Sequence, residues 1–192
     1  MTSGTGLIIV DVQNDFVTGS LAVPEAVKVI EPLNKVISAL AGVGAPIIYT
    51  RDWHPADHCS FKDYGGIWPP HCVKNSWGAA FYPGLLISST KSTIISKATI
   101  RDKEAYSGFQ GTDLDQFLKT HPVKTLVIGG LATDYCVKNT VLDAIKLGYS
   151  VIVVSDGVKA VDPANRALEA LRDAGAGAVT STEIVRQFES KV

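Results

Sequence analysis

Short apolar runs alternate along this chain with segments in which apolar residues recur every three or four positions. The runs are of strand length and nearly continuous, which is typical of strands buried on both faces of a parallel sheet. The predicted strands are residues 7–10, 47–50, 93–96, 126–128, 151–154 and, as a short sixth strand, 178–180. The chain therefore predicts a mostly parallel sheet of about six strands.

Helical patterns separate these strands, as in folds that carry helices on both faces of the sheet. One helix starts at Pro32 and brings Leu33, Val36, Ile37 and Leu40 to one face. The other predicted helices are a short one at 114–119, one running on from Cys136 through 137–145, one with Asp162 as N-cap and Pro163 as first helical residue that ends at Gly175, and one after the sixth strand. We predict an α/β, doubly wound (Rossmann-like) fold in a single domain over residues 1–192.

Composition narrows the classes of partner. A net charge of −1 gives no electrostatic reason to expect nucleic acid or an anionic membrane surface. No apolar run approaches membrane-spanning length, and the N-terminus lacks the basic stretch of a signal peptide. Three cysteines are too few for a disulfide scaffold in a chain of 192 residues. We expect a reducing, cytoplasmic location, and leave a homo-oligomer open.

Polar side chains stand where the predicted strands end. Asp11 follows the first strand, Asp52 the second, Lys97 the third and Cys136 the fourth. Since the carboxyl ends of parallel strands meet at one edge of the sheet, where open α/β folds bind ligands, these side chains are expected to converge.

Cys136 is the candidate nucleophile. It lies just inside a predicted helix, where the helix dipole favours the thiolate and free N–H groups can hold a developing oxyanion. Asp11 is the nearest candidate base for the thiol proton, and Lys97 would keep Asp11 ionised and stabilise the thiolate. The alternatives are a buried structural cysteine and an ion pair at the rim with no part in catalysis.

A second group of polar residues lies in the segment 53–91, which is long, aromatic and rich in Gly and Pro, as functional loops are. In an extended chain Asp52 and His54 point the same way, and His71 can close a site for Zn²⁺, Fe²⁺ or Mn²⁺. His58 is a candidate fourth ligand. The alternative is a polar loop whose histidines make only hydrogen bonds.

The three remaining candidates for metal binding receive other assignments. Cys59 and Cys72 neighbour histidines of this segment, and we assign them to packing around the site. His121, which precedes a proline at a helix end, is assigned to the surface.

Six strings of residues match a known family in order and spacing. They are IVDVQNDF (9–16), GSLAV (19–23), TRDWHP (50–55), WPPHCV (68–73), YSGF (106–109) and GLATDYCV (130–137). On these strings the chain resembles the nicotinamidase/pyrazinamidase group of the isochorismatase-like cysteine hydrolases. The resemblance runs from the first strand through the Cys136 helix.

The resemblance implies an amidohydrolase acting on linear amides: hydrolysis of nicotinamide to nicotinate and ammonia, in NAD salvage, with pyrazinamide as a surrogate. It implies Asp11, Lys97 and Cys136 as the catalytic set. It also implies one divalent metal ion per chain on Asp52, His54 and His71, with Zn²⁺ preferred over Fe²⁺ and Mn²⁺.

The same resemblance implies the substrate pocket. The ring would lie among the side chains of Phe16, Leu21, Trp68 and Tyr106. A non-proline cis peptide at Leu131-Ala132 would aim the N–H groups of Ala132 and Cys136 at the oxyanion.

Three other functions remain open. The first is a different amidohydrolase of the superfamily, for carbamoyl or hydroxamate-type substrates, which commonly needs no metal. The second is isochorismatase, whose members often lack the nucleophilic cysteine. The third is a non-enzymatic protein that stores metal or senses redox state through its thiols.

Overall fold

A computed structural model of the protein describes residues 4–89 and 91–189. Among these residues six strands form one sheet in the order β3-β2-β1-β4-β5-β6, and every neighbouring pair runs parallel. The strands are β1 (Thr5–Val10), β2 (Ile47–Asp52), β3 (Ser92–Lys97), β4 (Thr125–Leu131), β5 (Ser150–Lys159) and β6 (Gly177–Val179). The predicted doubly wound fold is confirmed, and the sheet is parallel throughout.

Helices cover both faces of the sheet. They are α1 (Asn14–Val17), α2 (Ile30–Gly42), α3 (Leu114–Thr120), α4 (Lys138–Lys146), α5 (Ala167–Asp173) and α6 (Ser181–Glu189). Helices α2 and α6 pack on one face, and α3, α4 and α5 pack on the other. Strand β1 serves both faces, since Leu7 and Ile9 contact the α2 side and Ile8 and Val10 the α4 side. This double burial is why the strands are apolar at consecutive positions.

The predicted start of α5 is wrong. Asp162 and Pro163 lie in a turn, and the helix begins at Ala167. The backbone N–H groups of Val161 and Asp162 donate to the carboxylate of Asp134, at 2.9 and 3.0 Å. Those bonds hold the segment over the rim of the sheet, and the helix starts only after the chain leaves it.

In the connection from β2 to β3, the described residues carry a short 3₁₀ turn, Lys62–Tyr64, and otherwise cross the carboxyl edge of the sheet as a loop. It is fixed to the segment after β1, where Asn14 N–H donates to Ala80 O and Tyr82 N–H donates to Val12 O. The loop therefore covers the edge of the sheet near which the predicted site residues lie.

Every helix among the described residues is too short or too polar to span a bilayer.

Strands β1 and β4 lie side by side at the point where the strand order reverses. Gly130 permits this close approach: its φ is +128°, and a Cβ there would lie 2.1 Å from Val10 O. At Gly148, by contrast, φ is +90° but a Cβ would meet nothing within 4 Å.

We expect Gly130→Ala to lower the free energy of unfolding by about 3 kcal/mol or more, because it adds a backbone clash to the left-handed strain. The matched variant Gly148→Ala should lose only about 1–2 kcal/mol, the cost of the backbone conformation alone. Urea unfolding of both variants measures the difference. Equal losses would show that the contact between β1 and β4 tolerates a methyl group.

Candidate active site

Asp11, Asp52, Lys97 and Cys136, which lie at or just beyond the carboxyl ends of four strands, meet in one cluster. Lys97 Nζ lies 3.0 Å from Asp11 Oδ2 and 3.4 Å from Cys136 Sγ, and it forms an ion pair with Asp52 Oδ1. Asp11 directly follows β1, and Cys136 lies in the turn after β4. These two strands are the neighbours between which the strand order reverses. This is the place where open α/β sheets bind ligands.

Asp11 is completely buried beside β2. Its backbone turns out of the sheet at φ +48°, and Thr50 Oγ1 donates to Asp11 Oδ1 at 2.6 Å. Burial, reinforced by the nearby carboxylate of Asp52, raises the pKa of Asp11 above its usual value although Lys97 opposes the change. A carboxylate with a raised pKa is suited to accepting and returning a proton.

Lys97 carries the positive charge of the cluster. Burial by itself would lower the pKa of Lys97, but the carboxylates of Asp11 and Asp52 outweigh it and hold the pKa well above the usual value. The ammonium also donates to Ala105 O at 3.0 Å. Lys97 is therefore charged and fixed by oxygen atoms, within reach of the sulfur of Cys136.

Cys136 lies in a turn of π-helix, Thr133–Val137, that runs directly into α4. Burial raises the pKa of the Cys136 thiol well above its usual value, and the lowering effect of Lys97 does not overcome it. This differs from the expectation that a helix start would favour the thiolate. The resting thiol keeps its proton, so attack on a carbonyl requires a base, and Asp11 is adjacent.

Asp52, His54 and His71, which we call the metal triad, each offer a ligand atom within 4.8 Å of the other two. His54 Nε2 is buried without a hydrogen-bond partner and lies 3.6 Å from Asp52 Oδ2. His54 Nδ1 faces Ala98 O at 3.3 Å, and His71 Nδ1 faces Pro69 O at 2.8 Å.

Carbonyl oxygens at the Nδ1 atoms leave both Nε2 atoms free to bind a metal, the arrangement usual around metal-bound histidines. Burial also lowers the pKa of His71, which favours the neutral imidazole that a metal requires. With one carboxylate and two imidazoles, the metal triad fits a divalent metal and leaves coordination positions open.

His58 lies next to this group but outside it. Its ring stacks against His54 with centroids 4.3 Å apart. Both ring nitrogens have other partners: Nδ1 pairs with Ser60 Oγ at 2.8 Å and Nε2 with Lys103 O at 3.2 Å. The structure thus gives His58 a packing and hydrogen-bonding place beside the metal triad.

The other sulfur and imidazole groups lie outside the metal triad as well. Cys72 is buried and Cys59 half-buried, and both are free thiols. His121 follows α3, where its ring packs on Phe117.

A small cavity lies over Cys136. All four predicted ring-binding residues line it: Phe16, Leu21, Trp68 and Tyr106. Trp68 Nε1 donates to Tyr106 OH at 3.0 Å, which fixes the two rings relative to each other. Since Asp52 and His71 also line the cavity, its walls join the metal triad to the thiol.

Three further residues complete the cavity wall. Ala132 follows a cis peptide bond, Leu131-Ala132, at the end of β4. Tyr135 was not predicted, although its position beside Cys136 is a signal that could have found it; its ring meets Trp68 edge-on, with centroids 4.9 Å apart. Val161 is a further residue that the sequence does not predict; it lines the cavity, and its backbone N–H donates to the Asp134 carboxylate.

Comparisons with known proteins find relatives that match nearly the whole chain. The chain is 38% identical to the nicotinamidase of Escherichia coli, over 92% of this chain and 93% of that protein. It is 38% identical to the nicotinamidase/pyrazinamidase of Mycobacterium tuberculosis, over 92% and 98%. The pyrazinamidase of Pyrococcus horikoshii in complex with zinc superposes with a TM-score of 0.88, at 47% identity and over 92% and 98% of the two chains.

The family assignment covers nearly the whole chain. The Isochorismatase domain matches residues 5–184, a range that includes the catalytic cluster, the metal triad and the cavity between them. The chain therefore belongs to the isochorismatase family.

Proposed function

We propose that this protein is a nicotinamidase, an amidohydrolase that converts nicotinamide to nicotinate and ammonia through a thioester on Cys136. The observation that carries the proposal is the position of Lys97, which holds Asp11 at 3.0 Å and Cys136 Sγ at 3.4 Å beneath an aromatic cavity that also reaches a metal triad. The curated relatives at 38% identity are themselves nicotinamidases.

In the first half-reaction Asp11 accepts the thiol proton as Cys136 Sγ bonds to the carboxamide carbon. In this proposal the backbone N–H groups of Ala132 and Cys136 stabilise the oxyanion. Asp11 then returns its proton to the nitrogen. The C–N bond breaks, ammonia leaves and the acyl group remains on sulfur.

In the second half-reaction water enters in place of ammonia. Asp11, again a carboxylate, takes a proton from water as the water oxygen bonds to the thioester carbon. The C–S bond breaks, Asp11 returns its proton to the sulfur, and the acid is released. Lys97 stays charged throughout, which keeps the buried carboxylate of Asp11 in place while its proton comes and goes.

The cavity accounts for the choice of a flat aromatic amide. Phe16, Leu21, Trp68 and Tyr106 surround the ring, and aromatic walls suit an aromatic ligand. When bound by Asp52, His54 and His71, a divalent ion, Zn²⁺ in preference to Fe²⁺ or Mn²⁺, would supply a Lewis-acid contact for the pyridine nitrogen. The aromatic side chains would hold the faces of the ring, and the metal would hold its nitrogen. Together these contacts would direct the carboxamide toward Cys136.

Each of the three competing functions leaves one feature of this site unexplained. A carbamoyl-type amidohydrolase has the catalytic set but no use for the buried, unpartnered Nε2 of His54. An isochorismatase has no use for a thiol beside Lys97, and a sensor needs a thiol that reacts readily, whereas burial raises the pKa of Cys136. Free thiols at Cys59, Cys72 and Cys136 agree with the proposed cytoplasmic location.

The position of the ring nitrogen tests the proposed function. Nicotinamide and pyrazinamide carry a nitrogen meta to the carboxamide-bearing carbon, benzamide has none, and picolinamide and isonicotinamide misplace it. We expect the last three to lose about 10²-fold or more in kcat/KM, since a contact is lost and the carbonyl is misaimed. Ammonia release from the five amides measures this. Benzamide turnover equal to that of nicotinamide would refute the proposed orientation.

A pH profile tests Asp11 as the base. Asp11 must be ionised to accept the thiol proton, and the hydrogen bond from Thr50 lowers its pKa. Thr50→Val removes that bond, so the pKa of Asp11 rises and the acid limb of kcat/KM should move to higher pH. The control Thr140→Val loses another buried hydroxyl, which accepts from Gly108 N–H, and should leave the limb in place. An unmoved limb in Thr50→Val would remove Asp11 from the base role.

Metal content tests the assignment of the metal triad. Purified protein is expected to carry about one divalent ion per chain. His71→Ala removes a ligand, so it should lose most of that metal and raise KM for nicotinamide. His121→Ala changes a histidine at the end of α3 and should keep both values. Elemental analysis showing full metal in His71→Ala would place the site elsewhere.

A further inference from the structure

Two buried polar side chains in the segment after β1 have no part in the chemistry above. Gln13 is fully buried, and Asp15 nearly so. Both side chains turn toward the backbone of segments that carry the metal triad.

Gln13 binds both backbone groups of Asp52. Its Oε1 accepts from Asp52 N–H at 2.8 Å, and its Nε2 donates to Asp52 O at 2.8 Å and to Ala79 O at 2.9 Å. Strand β1 ends one residue before Asp11 turns out of the sheet, so its backbone does not extend to the level of Asp52. The carboxamide of Gln13 takes the place of the missing strand, while β3 pairs with Asp52 from the other side.

Asp15 reaches the two histidines through Cys72. Its Oδ2 accepts from Cys72 N–H at 2.7 Å, directly after His71, and Cys72 O accepts from His54 N–H at 3.1 Å. The carboxylate is tightly enclosed: a Cβ at Gly78 would lie 1.9 Å from Asp15 Oδ2. The backbone around Asp15 is thus fitted to a carboxylate, and a single residue, Cys72, links that carboxylate to both histidines.

We infer that Gln13 and Asp15 are positioning residues for the metal triad, with Gln13 fixing Asp52 and Asp15 fixing His54 and His71. The inference rests on the metal site of the proposed function and deepens it. Because Asp11 and Phe16 belong to the same segment, this arrangement also sets the metal ligands relative to the base and to the wall of the cavity.

The chain offers a matched control in Asn14, which lies between the two residues and is equally buried. Asn14 Nδ2 donates to Trp77 O at 2.8 Å, in the same covering loop but away from the triad backbone. Asn14→Ala therefore removes a hydrogen bond between the same two segments without releasing a metal ligand.

The test measures Zn²⁺ affinity of the full-length protein by competition with a chelator, together with the unfolding temperature. Gln13→Met and Asp15→Asn should bind Zn²⁺ about 10- to 100-fold more weakly than wild type, as loss of the groups that orient metal ligands usually does. Asn14→Ala should lower the unfolding temperature and keep the wild-type affinity. Wild-type affinity in Gln13→Met and Asp15→Asn, or equal weakening in Asn14→Ala, would reduce both residues to a structural role.

Gln13→Asn covers the case in which Gln13→Met does not fold. It keeps an amide but is one methylene too short to reach Asp52, so it should weaken Zn²⁺ binding in the same way, and wild-type affinity would overturn the assignment of Gln13. No amide substrate is present in these titrations. A failure of nicotinamide as the substrate would therefore leave the result unchanged, and the two claims can fail separately.

Discussion

One buried cation organises this site. Lys97 lies at the carboxyl edge of the sheet with its ammonium between the carboxylates of Asp11 and Asp52, all three of them removed from solvent. Burying such charges is costly unless they are paired and their hydrogen bonds are satisfied, and removing one partner leaves the others uncompensated. The positions of Asp11, Asp52 and Cys136 are thus linked through their contacts with the one charged amine of Lys97.

Asp52 connects the two halves of the site. One carboxylate oxygen pairs with Lys97, and the other faces His54 in the metal triad. The cluster around Lys97 and the metal triad are therefore joined through a single carboxylate, whose pKa is lowered by Lys97 and His54 against the effect of burial. Under the proposed function, a substrate held at its ring nitrogen and attacked at its carboxamide would span the distance between these two groups.

The sequence predicts the parallel sheet and the convergence of the site residues, because both depend on local patterns of apolar and polar residues. Consecutive apolar residues in β1 identify a strand buried on both faces. Parallel strands bring Asp11, Asp52, Lys97 and Cys136 to one edge of the sheet, independently of the conformation of the loops. What the sequence could not supply depends on how deeply groups are buried and on contacts distant in the chain. The raised pKa of the Cys136 thiol reflects the extent of its burial, which the position of a helix start does not reveal.

Long-range hydrogen bonds explain the other differences. The segment before α5, which brings Val161 to the cavity, is bound at its backbone by the Asp134 carboxylate, 27 positions from Val161. Gln13 holds Asp52 from 39 positions away, and nothing in its neighbourhood along the chain indicates this. Such contacts are made by side chains that accept backbone donors, and local hydrophobic periodicity carries no information about them.

The central claim is that Cys136 carries the acyl group. Rapid quenching of the enzyme with nicotinamide, followed by intact-mass measurement and peptide mapping, tests it most directly. The account predicts a transient nicotinoyl adduct confined to the peptide that contains Cys136, released as nicotinate and missing in Cys136→Ala. Steady turnover of nicotinamide by Cys136→Ala, or an adduct on another residue, would contradict it.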